Sequence, residues 1–495
     1  GVRAAGLPAP LDEFRVDGGQ VIQDFLASGH RYEAPAVVVL DRLVDRVFSN
    51  GSRASLTHTI TLVLSKEGIE RAGEIAIPPG AEILAVRTRK PDGRIREAQE
   101  IAGKPTISAS ELSVGDFVEW ETLELRQPAE AFAPGFLGDR FYFGAAEAPL
   151  DRSEYLLVVP FDMPVDLDRR AGAPEPVLFT GPAGTRVIKI AGRQFPQIFP
   201  ERSAVVMEDW VPSVRASSGV DLGRWSRFWA DRIRPVMQGS PELVSVAAQI
   251  EAEAERTRQS LPEAIVAWVN QRIEPDGTLF EPATRTLARG QGNRAALVVA
   301  LARALSVRAE WMLVRSLGRA PANAPLCVQE LDDFSESVVR LAGPDGSLHF
   351  FDPRLRRAPF GYLSPELAGA PGFVLGDDGL HVVRSAVPDA RHVTMKMQLE
   401  KDGAAVVSVS ERLTGWPAVE WNELLQRVGR DRTKLRQEFE QRWLSQHFPG
   451  AELGKLTTQE HPDGSRQVDY TLTDPHMAVR EGDVLWLSPR FFLSQ

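Results

Sequence analysis

The chain has a single cysteine, Cys327. One thiol excludes an internal disulfide framework, a thiolate zinc site and an iron–sulfur cluster ligated from this chain alone. No apolar stretch reaches the ~18 residues that a membrane span needs. The longest helical candidate, Ala295 to Leu305, is short and interrupted by Arg303, so the chain is expected not to span a membrane. No long basic run is present, and 57 Lys+Arg against 67 Asp+Glu give a net charge of −10. That balance argues against nucleic acid as a partner. Gly1-Val2-Arg3-Ala4-Ala5 has neither an initiator Met nor a signal-like apolar core, which predicts a trimmed start. The eight histidines form no HExxH or other paired metal spacing. His58, in an alternating strand, reads as a packing or surface residue. Gly290-Gln291-Gly292-Asn293 lacks the Gly-Lys-Ser/Thr ending of a phosphate loop. No metal and no cofactor is expected.

What is there is an ordinary folded composition: 43% hydrophobic and 25% charged residues over 495 positions. At roughly 150 residues per domain that length suggests about three domains. Residues 1–35 read as a lead-in with one short helix near Gly19 to Ala27. From Ala36 the pattern becomes β-branched and alternating. Strands are expected at Ala36–Leu40, Val44–Phe48, Ser55–Leu64, Ile83–Arg87, Val118–Glu124, Tyr155–Pro160, Val177–Thr180, Arg186–Ala191 and Ala204–Trp210. Asn50-Gly51 and Asp92-Gly93 are hairpin signals. Near Ser218 the period switches to that of helices, at Leu222–Met237, Pro241–Gln259, Leu261 onward and Asn293–Leu305. Strands follow at Ala309–Ser316, Ser337–Leu341 and Leu348–Asp352. A last region combines hairpins with a charged helical stretch, Trp416 to Gln446. The predicted fold is a multidomain α+β chain: a large antiparallel β-sandwich (36–217), an α+β core (218–388) and a β-rich C-terminal α+β domain with one helical segment (389–495). The apolar end Phe491-Phe492-Leu493 predicts that this last domain is truncated.

This order of elements resembles the transglutaminase-like (papain-like) superfamily, preceded by a bacterial β-rich domain of unknown function. The upstream likeness rests on Gly51-Ser52, Lys90-Pro-Asp-Gly93 and Gly115-Asp116-Phe-Val-Glu119. The core likeness rests on the run from Ala295 to Ala309, Trp311-Met-Leu-Val314 and Phe350-Phe-Asp-Pro353. The resemblance implies a transglutaminase-like core and a Cys-His-Asp triad for acyl transfer or amide hydrolysis. In such a triad a helix N-terminus and a nearby His hold the thiolate, and the Asp orients the His.

Carried over by position, the Cys slot falls on Gln291 without a gap, or on Arg294 with a one-turn deletion that sets Gly292-Asn293-Arg294 against the family's Gly-Asp-Cys. The His slot falls on Ser337, or on Glu336 one register away. Asp352 alone keeps its type. Cys327 lies in a loop segment, Pro325-Leu-Cys-Val-Gln329, and reads as a structural thiol. Strand alternation sets His349 and Asp352 on opposite faces. Arg354, Arg356 and Arg357 read as a solvated basic face. The expectation is therefore a pseudoenzyme: a binding or scaffold module of the bacterial cell envelope or periplasm. Its degenerate cleft of Gln291, Asn293, Arg294, Glu336, Ser337 and Asp352 would be free to hold an extended peptide. Protein or peptide is the expected partner, with a glycan as a further class. The alternative is a peptidase or amidase-like hydrolase using Ser337, Glu336 and Asp352. Trp210, Trp225, Trp229 and Trp268 are read as packing between domains; the sharper reading is an aromatic groove for a peptide or glycan.

Overall fold

The structure, a computed structural model, describes residues 11–98, 106–182, 184–199, 210–276, 278–318, 333–461 and 463–487. Among these, the chain divides into two compact units, one of residues 11–228 and one of residues 229–317 with 333–487. The expected strand at Ala204–Trp210, except Trp210 itself, and the thiol Cys327 lie outside the described residues.

The first unit is built on an eight-stranded sheet. Its strands are β1 (Ala36–Val47), β2 (Arg53–Val63), β3 (Glu82–Arg89), β4 (Ile95–Glu97), β5 (Phe117–Arg126), β6 (Leu150–Pro160), β7 (Val177–Thr180) and β8 (Thr185–Phe195). They are ordered β7-β8-β6-β1-β2-β5-β3-β4. The two runs expected at 36–40 and 44–48 are one strand, with a register irregularity between Val38 and Leu40. Asn50-Gly51 does turn β1 into β2. Gly51 has φ 85°, and a Cβ there would come within 2.3 Å of the Gly135 carbonyl oxygen, so only glycine fits this close approach. One neighbour pair departs from the expected antiparallel pattern: β1 and β6 run parallel, with Leu43 opposite Tyr155. A smaller sheet centred on Ser213–Ser218 shares a core with the large one through Val47, Phe143, Tyr155, Ile190 and Val214, which makes a sandwich. Part of the large sheet buries charge instead. Arg42 pairs with Glu154, and Glu119 accepts from His58 Nε2 at 3.0 Å, Arg87 at 2.6 Å and Arg89. His58 is thus no surface residue: it packs inside the sheet, 3% exposed, as one member of a buried polar network. Two helices also belong to this unit: α1 (Gly18–Ser28), in the lead-in, and α2 (Lys66–Ala72), which the sequence reading did not anticipate.

Helix α3 (Leu222–Ile233) precedes the second unit's helices: α4 (Pro241–Thr257), α5 (Leu261–Arg272), α6 (Ala283–Arg289) and α7 (Arg294–Ala304). In α7 every residue from Arg294 to Ala302 is buried. A helix apolar all round must be central, and α7 packs with Leu243, Ile265 and Val269 on one side and with Trp311 and Val339 of the sheet on the other. That sheet runs β11-β10-β9-β12-β13, from β9 (Ala309–Val314), β10 (Glu336–Ala342), β11 (Leu348–Phe351), β12 (Pro371–Val374) and β13 (Leu380–Val382). The C-terminal part is a four-stranded sheet, β14-β15-β17-β16, of β14 (Ala390–Leu399), β15 (Ala405–Thr414), β16 (Glu452–Glu460) and β17 (Arg466–Asp474). Its helical stretch is not continuous. Gly429, at φ 62°, ends α8 (Trp416–Val428), and Asp431 caps α9 (Arg432–Phe439) by accepting from the Thr433 and Lys434 backbone N–H groups. A π-helical turn, Glu440–Leu444, follows.

Candidate functional site

The site grows from the turn into α7. Gly290 ends α6 in the left-handed region, and Gly292 stands at φ 139°. A Cβ on Gly292 would lie 2.7 Å from Thr286 Oγ1 and 2.9 Å from Glu281 Oε2. Asn293 then caps the helix. Its Oδ1 accepts from the Ala296 N–H at 3.1 Å, and its Nδ2 donates to the carbonyls of Leu279 (3.0 Å) and Glu281 (3.3 Å). Both ends of the amide are occupied, so Asn293 is a structural N-cap.

Arg294, the first helical residue, is 1% exposed. Its Nη1 donates to the carbonyls of Pro353 and Leu355, both at 2.9 Å, and its Nη2 donates to Asn270 Oδ1. The guanidinium also lies 5.1 Å from the Phe351 ring centre. Burial pushes it down to about 10, although the charge of Asp352 opposes that shift. A nucleophile at a helix start profits from the dipole. This position holds instead a cation, pinned to the chain that leaves β11.

Asp352 is 2% exposed and saturated. It accepts from the Arg354 backbone N–H (3.0 Å), from Arg354 Nε (3.1 Å) and Nη2 (3.0 Å), and from Ser364 Oγ (3.0 Å). Arg354 also donates to Glu336 at 3.1 Å and to Glu366 at 2.7 Å. Burial opposes it, but the hydrogen bond and charge of Asp352, with Glu336 and Glu366, hold Arg354 well above its usual range. Arg354 is thus exposed, as expected of a solvated basic face, but it is also ion-paired, and Arg356 likewise pairs with Glu274. Ser337 Oγ accepts from the Trp311 indole N–H at 3.1 Å. His349 bonds Ser347 Oγ at 2.8 Å and packs on Phe360, with ring centres 4.7 Å apart.

Four of the six expected site residues, Asn293, Arg294, Glu336 and Ser337, line one cleft of about 470 Å³, together with Thr278 and Arg354. Gln291 and Asp352 are not in its lining. Gln291 is not at a helix start: it pairs with Glu274 in a short parallel ladder and donates to Asp276 at 3.3 Å. Of the two registers for the Cys slot, only the one with the one-turn deletion lands on a helix N-terminus. What sequence reasoning missed is the pairing of Arg354, because its three acid partners lie 2, 12 and 18 positions away. Among the described residues no group of three or more His, Cys, Asp or Glu side chains is placed to hold a metal. The tryptophans are committed to local contacts: Trp225 stacks on Phe132 at 5.2 Å, Trp229 stacks on Phe280 at 5.9 Å, and Arg272 covers Trp268.

No family model matches the chain, and no curated protein does. Among solved structures it is similar to a "putative protease" from Parabacteroides distasonis, at 12% identity and a TM-score of 0.55, over 92% of this chain and 95% of that one. At that identity the likeness is one of fold.

Proposed function

We propose that this chain is a non-catalytic binding or scaffold protein of the bacterial cell envelope, built on a transglutaminase-like, peptidase-type fold, whose cleft holds an extended peptide. One observation carries the reading. At the helix N-terminus where such a fold would carry its nucleophile, Arg294 is buried and tied to Pro353, Leu355 and Asn270. Asp352, the residue that would orient a base, has its oxygens occupied by Arg354 and Ser364. A cleft of about 470 Å³ is in the size range of ligand sites. Ser337 and Thr278 offer it hydroxyls beside the charged pair Glu336–Arg354.

The competing reading is a hydrolase with altered residues, and the fold likeness to a protein described as a protease favours it. Against it, among the described residues the Ser337 hydroxyl has an indole donor as its hydrogen-bond partner and no base, whereas an activated serine needs a base within about 2.6–3.2 Å.

Affinity selection from a random peptide library tests the proposal. The expected result is retention of a peptide class that a blocking Ser337→Trp substitution releases, with the fold intact by circular dichroism. If the retained set is unchanged by Ser337→Trp, the cleft is not the binding site.

A further inference from the structure

The four-stranded sheet of the C-terminal part ends on β14 at one side and on β16 at the other. An edge strand offers unpaired N–H and C=O groups to any second strand, and folds blunt such edges by shortness, bulges or charge. The eight-stranded sheet and the core sheet end on strands of only 3 or 4 residues. β16 has 9 residues, but a register irregularity between Leu453 and Leu456 breaks its ladder, and Glu452, Lys455 and Glu460 stand exposed along it. β14 has 10 residues and is far less protected. It pairs with β15 in unbroken register from Ala390–Thr414 to Leu399–Ala405. It contains no proline, and Lys396 is its only exposed Lys, Arg, Asp or Glu side chain. Among the described residues no strand lies on its outer side.

The hydrogen-bond ladder fixes which backbone groups face outward. At the end of β14 the Glu400 N–H donates to the Ala404 carbonyl at 2.8 Å. Every second residue of an antiparallel strand repeats that inward role. His392, Thr394, Lys396 and Gln398 therefore bond β15, while Arg391, Val393, Met395, Met397 and Leu399 turn N–H and C=O outward. The side chains of the outward set share one sheet face. Met395 and Met397 rest against the C-terminal core, and Val393 and Leu399 stay 45% and 38% exposed. An apolar stripe thus runs beside the open backbone edge.

A second copy of the same strand complements this edge. Antiparallel pairing about a two-fold at Met395 sets Met395 against the second copy's Met395, Val393 against its Met397, and Arg391 against its Leu399. On the other face Thr394 meets Lys396, and His392 meets Gln398. No like charges stand opposite each other, and the two apolar stripes become continuous. A two-fold one residue later would set Lys396 against Lys396, and one residue earlier would set His392 against Lys396. Directly opposed like charges destabilise a strand pair.

We propose that β14 is a dimerisation edge, through which two copies of this chain join their C-terminal sheets into one, antiparallel about Met395. This inference does not depend on the cleft reading.

Sedimentation equilibrium of the full chain tests it and should show a reversible monomer–dimer equilibrium. Thr394 is exposed, and two substitutions there should act in opposite directions. Thr394→Glu places a carboxylate opposite the second copy's Lys396 and should tighten the dimer about fivefold. Thr394→Lys places lysine opposite lysine and should weaken it about fivefold. Met395→Pro removes only an outward N–H, which an edge strand tolerates, and should leave a monomer with an unchanged circular dichroism spectrum. Hydrogen exchange on the unaltered chain supplies a readout that needs no variant: the segment 390–399 should gain amide protection as concentration rises. The proposal is overturned by a monomer at every concentration, by a dimer that both Thr394 variants shift in the same direction or leave unchanged, by a dimer that survives Met395→Pro, or by exchange at 390–399 that is independent of concentration.

Discussion

Arg294 shows how much one residue can commit. A guanidinium at the first position of a helix opposes the dipole, and burial adds a desolvation cost. It persists because two carbonyls and an amide meet it. Replacing it with the shorter, apolar Met would leave those acceptors bare in the interior. Arg294→Met should therefore destabilise by about 2–4 kcal/mol, read as a loss in urea midpoint. Ser337→Ala removes one indole hydrogen bond and should cost about 1 kcal/mol or less.

The sandwich offers a pH test at the same scale. Asp41 in β1 is pushed up to about 6 by burial, against the opposing hydrogen bond from Ser153 at 2.8 Å. A carboxyl raised above its unfolded value binds more protons when folded. Its contribution is full below about pH 4, the unfolded value, and is lost as pH rises through 6. Asp41→Asn should abolish that loss. The variant should gain about 1–3 kcal/mol over the parent at pH 7.5 and nothing at pH 4, by chemical denaturation at both values. Glu119 works the other way. Burial would raise it, but His58, Arg87 and Arg89 outweigh burial and hold it far below the carboxylate range. Its stabilisation is present above about pH 4.3 and is lost as pH falls. Glu119→Gln should remove this acid dependence and destabilise at neutral pH by about 3–5 kcal/mol, the effect of unpairing buried charge.

At the scale of elements, the turn into α7 is the most constrained piece of chain at the site. Gly292→Ala would place a methyl against Thr286 and Glu281 in a positive-φ conformation, and Asn293→Ala would remove the cap. Each should cost about 1–3 kcal/mol, and both should lower the amide protection of α7. Elements with long periodic patterns were legible in the sequence: α4, α5 and α7, the β1–β2 hairpin and most strands. Helices α2 and α6 were not, because seven residues give too little periodicity to count. The single helix expected from Trp416 to Gln446 was broken by Gly429-Arg430-Asp431, a stop and start signal that the surrounding charges obscured. The parallel pairing of β1 with β6 joins segments more than a hundred residues apart, and no local pattern reports it. The cleft's members were partly legible through the family resemblance. The ion pairs of Arg354 were not, since a lone arginine in sequence does not report which acids the fold brings around it.

At the scale of the whole molecule, the two compact units should unfold as separate cooperative blocks. Within the second unit, the α+β core and the C-terminal sheet share contacts. Leu355 and Tyr362 pack with Val419, and Asp389 accepts from both the Tyr362 hydroxyl at 2.8 Å and the Trp416 N–H at 2.7 Å. Calorimetry should show two transitions, and Val419→Asp should lower one of them while leaving the other in place. Three independent transitions would mean that these contacts do not couple the core to the C-terminal sheet.

The central claim is that a peptidase-type fold here binds without cutting. Incubating the pure chain with a proteome-derived peptide mixture and reading new termini by mass spectrometry addresses it most directly. No time-dependent new termini are predicted, with or without Ser337→Ala. Steady accumulation of new termini that Ser337→Ala abolishes would contradict it.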